Sequence, residues 1–507
     1  MTDKQGYVYL IGAGPGDPGL MTVKGMDCLQ RAEVVIYDYL ANPLFLEQAP
    51  QAEHIYVGKR KGLHHYPQEK INQLLLEKAG EGKVVARLKG GDPFIFGRGG
   101  EEAMVLAEAD IPFEIVPGVT AAVAAAAYAG IPMTHRDCTT TLGFVTGHED
   151  PAKKLSSLDW EKLATGVGTL VFYMGLTNLE NICEQLVAHG RDPQTPVAVV
   201  RCATTPRQQT LDGTLTDIVD MVRSADFKPP ALIFVGEVVK FRATLRWFDD
   251  RPLFGKRILV TRAAAQADEF CQHLLSLGAE PVLCPMLEIA PPESFTELDR
   301  AIDQLLETDY LVLTSTNAVD AFFSRLAELD LDVRALAGIK LVTVGPKTAA
   351  VLTSYGLKPD MIPADYRAEG VVDILKGEVA GKRVLYPKAE LARDVIPEQL
   401  TRAGAEVVSP VAYRSIIPAG TFEKLEQALE DGLDLITFSS SSTVTNLMAL
   451  LDASGKLKAR QVPVASIGPL TSKTAEDEGL EVVVEPGVST FDALLTEISE
   501  YFINKDT

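Results

Sequence analysis

The chain has 507 residues, 46% hydrophobic and 23% charged, with a formal net charge of −21; at roughly 100 to 200 residues per domain, this length predicts three or four units rather than one core. Residues 1–250 carry a net −7 and residues 251–507 a net −14, and two acidic halves exclude nucleic acid or an anionic membrane as the main partner, leaving room for an anionic small molecule held by a few gathered arginines. The six cysteines (Cys28, Cys138, Cys183, Cys202, Cys271 and Cys284) form no CxxC and no dense pairs, which argues against a disulfide framework or zinc cluster and for a reducing, cytoplasmic setting.

In chain order, apolar runs at 7–11, 34–37, 54–57, 84–88 and 113–116 predict strands, and 67–79, with Ile71, Leu74, Leu75 and Lys78 at helical spacing, predicts one of the intervening helices. A strand this close to the first residue leaves no room for a signal peptide. The alternation predicts an α/β fold with a mostly parallel sheet and its ligand at the carboxyl ends of the strands. A second series of strands is expected at 140–146, 169–173, 197–201, 208–211 and 232–235. Between the two series, the apolar stretch 121–131 is too short to span a bilayer and reads as a buried helix, and the Ala-rich helix between Val119 and Ala129 is expected to bridge the two sheets. The two series give subdomains of about 1–118 and 132–250.

Two glycine loops follow the first and fourth of these strands: Gly12-Ala13-Gly14-Pro15-Gly16-Asp17-Pro18, and Lys89-Gly90-Gly91-Asp92-Pro93-Phe94-Ile95-Phe96-Gly97-Arg98-Gly99-Gly100-Glu101-Glu102. Glycine lets a main chain come up against a ligand, whereas the prolines remove N–H donors that a pyrophosphate cradle needs. A nucleoside-like ligand is therefore expected rather than a nucleotide phosphate. Asp38 ends the second strand, about where a dinucleotide fold keeps its ribose-binding acid, but Asp17 stands in the place of the third glycine and argues against that reading. His64, His65, His135 and His148 have neither HExxH spacing nor cysteine partners, so no metal is assigned.

The stretch Asp249-Asp250-Arg251-Pro252-Leu253-Phe254-Gly255 is polar and broken by proline and glycine, and it predicts a linker. The chain beyond it is duplicated. Lys256-Arg257-Ile258-Leu259-Val260 corresponds to Lys382-Arg383-Val384-Leu385-Tyr386, Leu277-Gly278-Ala279-Glu280 to Ala403-Gly404-Ala405-Glu406, Asp309-Tyr310-Leu311-Val312 to Asp434-Leu435-Ile436-Thr437, and Val344-Gly345-Pro346 to Ile467-Gly468-Pro469, at offsets of 126, 125 and 123 residues. Two long copies predict two similar α/β lobes, not a solenoid.

The glycine loops, with Val57-Gly58-Lys59-Arg60, Val116-Pro117-Gly118-Val119-Thr120-Ala121, Gly130-Ile131-Pro132-Met133-Thr134-His135-Arg136, Phe144-Val145-Thr146-Gly147-His148, Tyr173-Met174-Gly175 and Val235-Gly236-Glu237-Val238-Val239, closely resemble the uroporphyrinogen-III C-methyltransferase family, in the family's order. The duplicated half resembles uroporphyrinogen-III synthase through Thr261-Arg262, Thr314-Ser315-Thr316-Asn317-Ala318-Val319, Thr348-Ala349 and Val411-Ala412-Tyr413-Arg414. It departs at Pro387-Lys388-Ala389, where many members carry Arg-Gly.

The first resemblance implies a two-domain tetrapyrrole-methylase fold over 1–250, S-adenosylmethionine as methyl donor with S-adenosylhomocysteine as its product, and a homodimer. It sets the cofactor against Pro15, Gly90, Gly91, Asp92, Ile95, Thr120, Ala121, Met174 and Ala203, the last standing where the family often has glycine. It makes Asp38 the proton acceptor and Lys59 the proton donor. The many carboxylates of uroporphyrinogen call for guanidinium groups, and Arg98 and Arg136 lie in family-like loops. Glu101 is set toward a pyrrole N–H, although an acid in a first helical turn is also favoured by the dipole alone.

The second resemblance implies a bilobal, duplicated parallel α/β fold over 251–507, with the chain crossing between lobes near 284–292 and 411–418. Lobe one would comprise about 255–288 plus 416–507, and lobe two about 292–412. Hydroxymethylbilane would lie between them, with Thr261, Arg262, Ser315, Thr348, Ser440, Ser441 and Thr471 as binding candidates and Tyr413 protonating the leaving hydroxyl. The serines read equally well as strand-end caps. Together the halves imply closure of hydroxymethylbilane to uroporphyrinogen III with inversion of ring D, then methylation at C2 and C7 to precorrin-2. The alternative is a methyltransferase of another precorrin position fused to a non-catalytic bilobal tetrapyrrole-binding protein.

Overall fold

The computed structural model describes residues 6–58, 66–147, 158–264 and 267–506. The chain falls into two units, one of Met1–Lys256, Leu274–Glu280 and Phe502–Thr507, the other of Arg257–His273 and Pro281–Tyr501. Among the described residues, no helix is long and apolar enough to cross a membrane.

In the first unit, β1 (Tyr7–Gly12), β2 (Val34–Tyr37), β3 (Glu53–Tyr56), β4 (Val84–Lys89) and β5 (Phe113–Val116) form a parallel sheet in the order β3-β2-β4-β1-β5. Parallel strands covered on both faces read as unbroken apolar runs, and Val8, Leu10, Ile11, Val35 and Ile36 are fully buried. The exception is β4, where Arg87 and Lys89 share one face yet are only 3% and 4% exposed. Charged side chains stay inside only when paired.

The second sheet joins β6 (Leu142–Thr146), β7 (Thr169–Tyr173), β8 (Pro196–Arg201), β9 (Gln209–Thr214) and β10 (Ala231–Val235) in the order β6-β7-β10-β8-β9. Here β6 and β7 run parallel, whereas β10 is antiparallel to both β7 and β8, and β8 to β9. The Ala-rich helix forms over Ala121–Ala129 and buries Ala122, Ala125, Ala126 and Ala129 in one cluster with Val171, Ala198 and Phe234 of this sheet. It stops at Gly130, which is left-handed (φ 72°) and so close to the chain that a Cβ would lie 2.4 Å from the Leu245 carbonyl carbon.

The stretch expected to be a linker is instead anchored. Asp249 accepts hydrogen bonds from Gln208 Nε2 (2.8 Å) and Arg242 Nη2 (2.5 Å), and Leu253 is fully buried. Proline and glycine mark a turn, but they do not say whether its flanks are packed.

In the second unit, one sheet holds Glu280–Leu283, Arg257–Val260, Leu435–Phe438, Val464–Ser466 and Val482–Val484 in that spatial order, and another holds Glu406–Val408, Arg383–Leu385, Tyr310–Leu313 and Lys340–Thr343. The first four strands of the one match the four of the other, repeat for repeat. Each lobe is thus built from the front of one sequence repeat and the back of the other. Between the lobes, Glu288–Ala290 runs antiparallel to Val411–Ile416, which also pairs with Lys388–Ala389. These are the two passages of the chain from lobe to lobe. Cores form on the lobe sheets around Leu259, Ile436 and Phe438 in one and Leu311, Leu313 and Phe322 in the other.

Candidate active sites

The two glycine loops meet at the carboxyl edge of the adjacent strands β1 and β4. Gly14 and Gly91, both left-handed (φ 73° and 70°), exchange backbone bonds: Gly14 N–H donates to the Gly91 carbonyl (3.2 Å) and Gly91 N–H to the Gly14 carbonyl (2.7 Å). A Cβ on Gly12 would lie 2.5 Å from Gly118 N, and one on Gly118 2.4 Å from the Gly91 oxygen. Asp92 fastens this arrangement, accepting from Phe94 N–H (2.8 Å) and Gly118 N–H (3.1 Å). Each of its carboxylate oxygens thus takes one bond from the loop framework. Asp17 does the same for the first loop: it accepts from Gly19 N–H (2.7 Å) and the Tyr128 hydroxyl (2.6 Å), while its own N–H donates to Thr204 (3.0 Å). Burial and the Asp17 carboxylate push the Tyr128 phenol well above its ordinary range.

Around these loops the remaining cofactor candidates gather. Gly91 faces Ala121 N and Thr120 Cα, and Ile95, Ala121 and Ala203 pack against the cluster that contains Tyr173 and Ala122. Tyr173 was not legible as a site residue, yet its hydroxyl lies 2.7 Å from Thr120 Oγ1 and accepts from Ala122 N–H (3.1 Å), and its ring sits 4.9 Å from that of Phe96. Met174 is next in the chain, exposed and left-handed (φ 55°), and Pro15 is half-buried. Gly90 comes so close to the turn after Asp38 that a Cβ would lie 2.5 Å from Leu40 Cβ.

Asp38 is held at both oxygens, Oδ1 by Leu40 N–H (3.0 Å) and Oδ2 by Arg87 Nη2 (3.2 Å), with its side chain 26% exposed. Lys59, His64, His65 and His148 lie outside the described residues. Arg98, in the left-handed region (φ 58°) and 55% exposed, lays its guanidinium on Glu101 through two bonds of 2.8 and 2.7 Å. That pairing holds the Glu101 carboxyl below the usual carboxylate range. Two residues expected to meet different parts of a substrate thus meet each other. Arg136 is exposed, in a turn closed by Thr139 N–H donating to the His135 carbonyl (3.0 Å).

In the second unit a cleft of about 780 Å³ is lined by both lobes and by the passages between them, including Ala263, Glu288, Ala290, Asn317, Asp320 and Tyr413. Tyr413 is nearly buried, with its hydroxyl 3.0 Å from Ser315 Oγ; that Oγ accepts from Ala318 N–H (3.0 Å) as the cap of the helix Thr316–Glu328. The other candidates sit near the carboxyl ends of the lobe strands without lining this cleft. Thr261 is fully buried and donates to the Thr437 carbonyl (2.7 Å) while Thr437 donates to that of Leu259 (2.8 Å), so its hydroxyl ties two strands together instead of facing a ligand. Ser440 caps the helix Ser441–Leu450, whereas Ser441 donates to the Leu470 carbonyl (3.2 Å) of the helix Pro469–Asp477. Arg262 stacks on the Phe491 ring at 4.1 Å, and Thr348 and Thr471 are buried within helices. The sequence missed Asn317, Asp320 and Ser324, one face of a helix whose orientation becomes visible only with the sheet beneath it.

A glycine-loop α/β unit joined to a duplicated, two-lobed cleft defines a bifunctional enzyme of tetrapyrrole biosynthesis. Residues 7–219 match the family described as Tetrapyrrole (Corrin/Porphyrin) Methylases, and residues 268–496 the family Uroporphyrinogen-III synthase HemD. The chain is 37% identical over 500 residues to the porphyrin biosynthesis protein HemD of Ruminiclostridium josui, which covers 98% of each chain. It is 41% identical over 373 residues to the uroporphyrinogen-III C-methyltransferase of Bacillus subtilis (strain 168), covering 73% of this chain and 76% of that one. Against the siroheme synthase of Ectopseudomonas mendocina (strain ymp) the identity is 54% over 245 residues, 48% of this chain and 53% of the other. Among solved structures, the uroporphyrin-III C-methyl transferase from Thermus thermophilus complexed with S-adenyl homocysteine is 40% identical over 46% of this chain and 99% of that one, with a TM-score of 0.40. The chain belongs to the family in which a uroporphyrinogen-III C-methyltransferase is fused to a uroporphyrinogen-III synthase.

Proposed function

We propose that the C-terminal half closes hydroxymethylbilane to uroporphyrinogen III with inversion of ring D, and that the N-terminal half methylates that product at C2 and C7 to precorrin-2. The observation that carries this reading is that a methylase family model matches residues 7–219 and a synthase family model residues 268–496 of the same chain, so that two successive activities share one polypeptide. A homodimeric, cytoplasmic protein without a metal is part of the same reading.

The residues at the glycine loops fit S-adenosylmethionine. Gly91 and the start of the helix Ala121–Ala129 keep side chains out of one wall, and Ile95, Ala121 and Ala203 give an apolar one. When bound, the cofactor supplies an electrophilic methyl group. The protein's part is to hold the tetrapyrrole carbon in line and to take the proton that the methylated skeleton loses, the role of Asp38, with Lys59 returning a proton.

Arg98 and Arg136 would hold substrate carboxylates, Arg98 by leaving Glu101, which is then free for a pyrrole N–H. Replacing Arg98 with alanine is expected to weaken uroporphyrinogen binding by about 1.5 to 3 kcal/mol, the usual value of a hydrogen bond to a charged group. Cofactor titration should be unchanged. An Arg98→Ala protein that binds the tetrapyrrole like the parent would leave Arg98 as a surface partner of Glu101.

In the synthase half, the hydroxyl of hydroxymethylbilane departs as water, leaving an azafulvene-like cation that forms readily. The cleft has to fold the flexible chain before unassisted closure occurs. Tyr413 is set to protonate the departing hydroxyl, its phenol steadied by Ser315. Tyr413→Phe should slow formation of uroporphyrinogen III and raise the share of the unrearranged type I isomer, both read by chromatography. An unchanged rate and isomer ratio would remove the phenol from the reaction. One incubation tests the whole reading: hydroxymethylbilane with S-adenosylmethionine should yield precorrin-2, whereas a tetrapyrrole bound and returned unchanged would make the lobes a carrier.

A further inference from the structure

Behind Asp38 lies a cluster of charges sealed from solvent. Arg87 Nε (3.2 Å), Lys89 Nζ (2.9 Å) and Gln68 Nε2 (3.1 Å) all donate to Glu102 Oε1, while Glu102 Oε2, equally buried, has no partner among the described residues. Arg87 Nη1 donates to the carbonyls of Leu88 (3.0 Å) and Ile36 (3.4 Å), and Nη2 reaches Asp38 Oδ2 (3.2 Å). The planar guanidinium is therefore fixed along its whole edge, and of its partners among the described residues Asp38 is the one that opens to solvent.

Such a cluster is a costly way to fill the centre of a parallel sheet. A carboxylate with one crowded oxygen and one bare one forfeits hydration without full compensation, and apolar residues at these positions would pack the sheet at lower cost. Burial, with Arg87 alongside, pulls the Lys89 ammonium below the ordinary lysine range. Burial alone would raise the Glu102 carboxyl, but the two cations outweigh it and keep Glu102 ionised. Fully ionised, the four groups balance: Lys89 answers Glu102, and the charge of Arg87 remains available to Asp38.

We propose that Arg87 is the positioning residue of the methylation, held from behind by Glu102 and Lys89 so that it orients the Asp38 carboxylate for proton removal. The inference rests on Asp38 being the proton acceptor. Arg87 fixes Oδ2 and the Leu40 N–H fixes Oδ1, which stops rotation about the carboxylate and leaves its remaining lone pairs for the substrate.

The test is a cycle of Arg87→Gln, Asp38→Asn and the double variant in the full-length chain, with methylation of supplied uroporphyrinogen III, cofactor affinity and thermal stability measured for each. Arg87→Gln should lower kcat by about 10- to 100-fold, as expected for a misplaced catalytic group, with cofactor Kd unchanged. Added to Asp38→Asn, it should lower the rate no further, because a residue acting through Asp38 has nothing left to orient. If the full loss recurs in the Asp38→Asn background, Arg87 acts independently of Asp38 and the proposal is wrong while the reading of Asp38 stands. If Asp38→Asn methylates at the parent's rate, that reading fails first and the proposal with it. Should Arg87→Gln not fold, Arg87→Gln/Glu102→Gln removes one charge of each sign and enters the same cycle; a parent-like kcat in that folded variant overturns the proposal.

Discussion

Asp38→Asn is expected to slow methylation of uroporphyrinogen III by about 10²- to 10⁴-fold, the range over which a positioned general base contributes, while cofactor affinity changes little. The substitution keeps the size of the side chain and one acceptor oxygen for Arg87 or Leu40 N–H, so the turn after β2 should survive. What it removes is the capacity to take a proton. Rapid quench with labelled methyl donor would separate the chemical step from binding. A fall in cofactor affinity as large as the fall in rate would mean that Asp38 touches the ribose, as the acid of a dinucleotide fold does, and would contradict its assignment to proton transfer.

Gly118→Ala should destabilise the N-terminal half by about 3 kcal/mol, the upper end of ordinary overpacking, and should abolish cofactor binding. The added methyl would lie 2.4 Å from the Gly91 oxygen and 2.7 Å from both Gly12 C and Gly12 Cα, all backbone atoms that no rotamer change can move aside. Relief requires the turn at Gly118 to draw back from both glycine loops, and that breaks the bond from Gly118 N–H to the Asp92 carboxylate that fastens them. Denaturant unfolding and cofactor titration would read the two effects. A variant as stable as the parent, with normal affinity, would show the loops to be pliant rather than locked.

The β1–β5 sheet was legible because parallel strands buried on both faces leave continuous apolar runs. The same runs say nothing about direction, so the antiparallel pairings of β10 were not legible. Arg87 and Lys89 drew no notice in a run read as apolar, and a sequence cannot show that both turn inward onto Glu102. Thr261 was misplaced for a related reason: a threonine at the end of a strand faces either a ligand or a neighbouring carbonyl, and only the register with Thr437 decides. The carboxylate of Asp92, expected against the cofactor, binds the N–H groups of Phe94 and Gly118, a pairing across segments that a sequence does not show. The apolar residues inside 249–255 were obscured by the proline and glycine around them.

The exchange of repeat halves between the two lobes has a consequence for how the chain is made. In lobe two, Arg383 N–H finds Asp309 only 74 residues away, but in lobe one Arg257 N–H must wait for Asp434, 177 residues on. The difference in loop-closure entropy is under about 1 kcal/mol, so it is synthesis that sets the order. At about 5 to 20 residues per second on the ribosome, the strand Arg257–Val260 emerges several seconds or more before Leu435–Phe438 exists to pair with it. Throughout that interval Ile258, Leu259 and Val260 present an apolar open edge, the kind of template on which nascent chains join one another. Chaperone demand and losses to aggregation during production should therefore concentrate on lobe one, and lobe two should be native before its companion has begun to close.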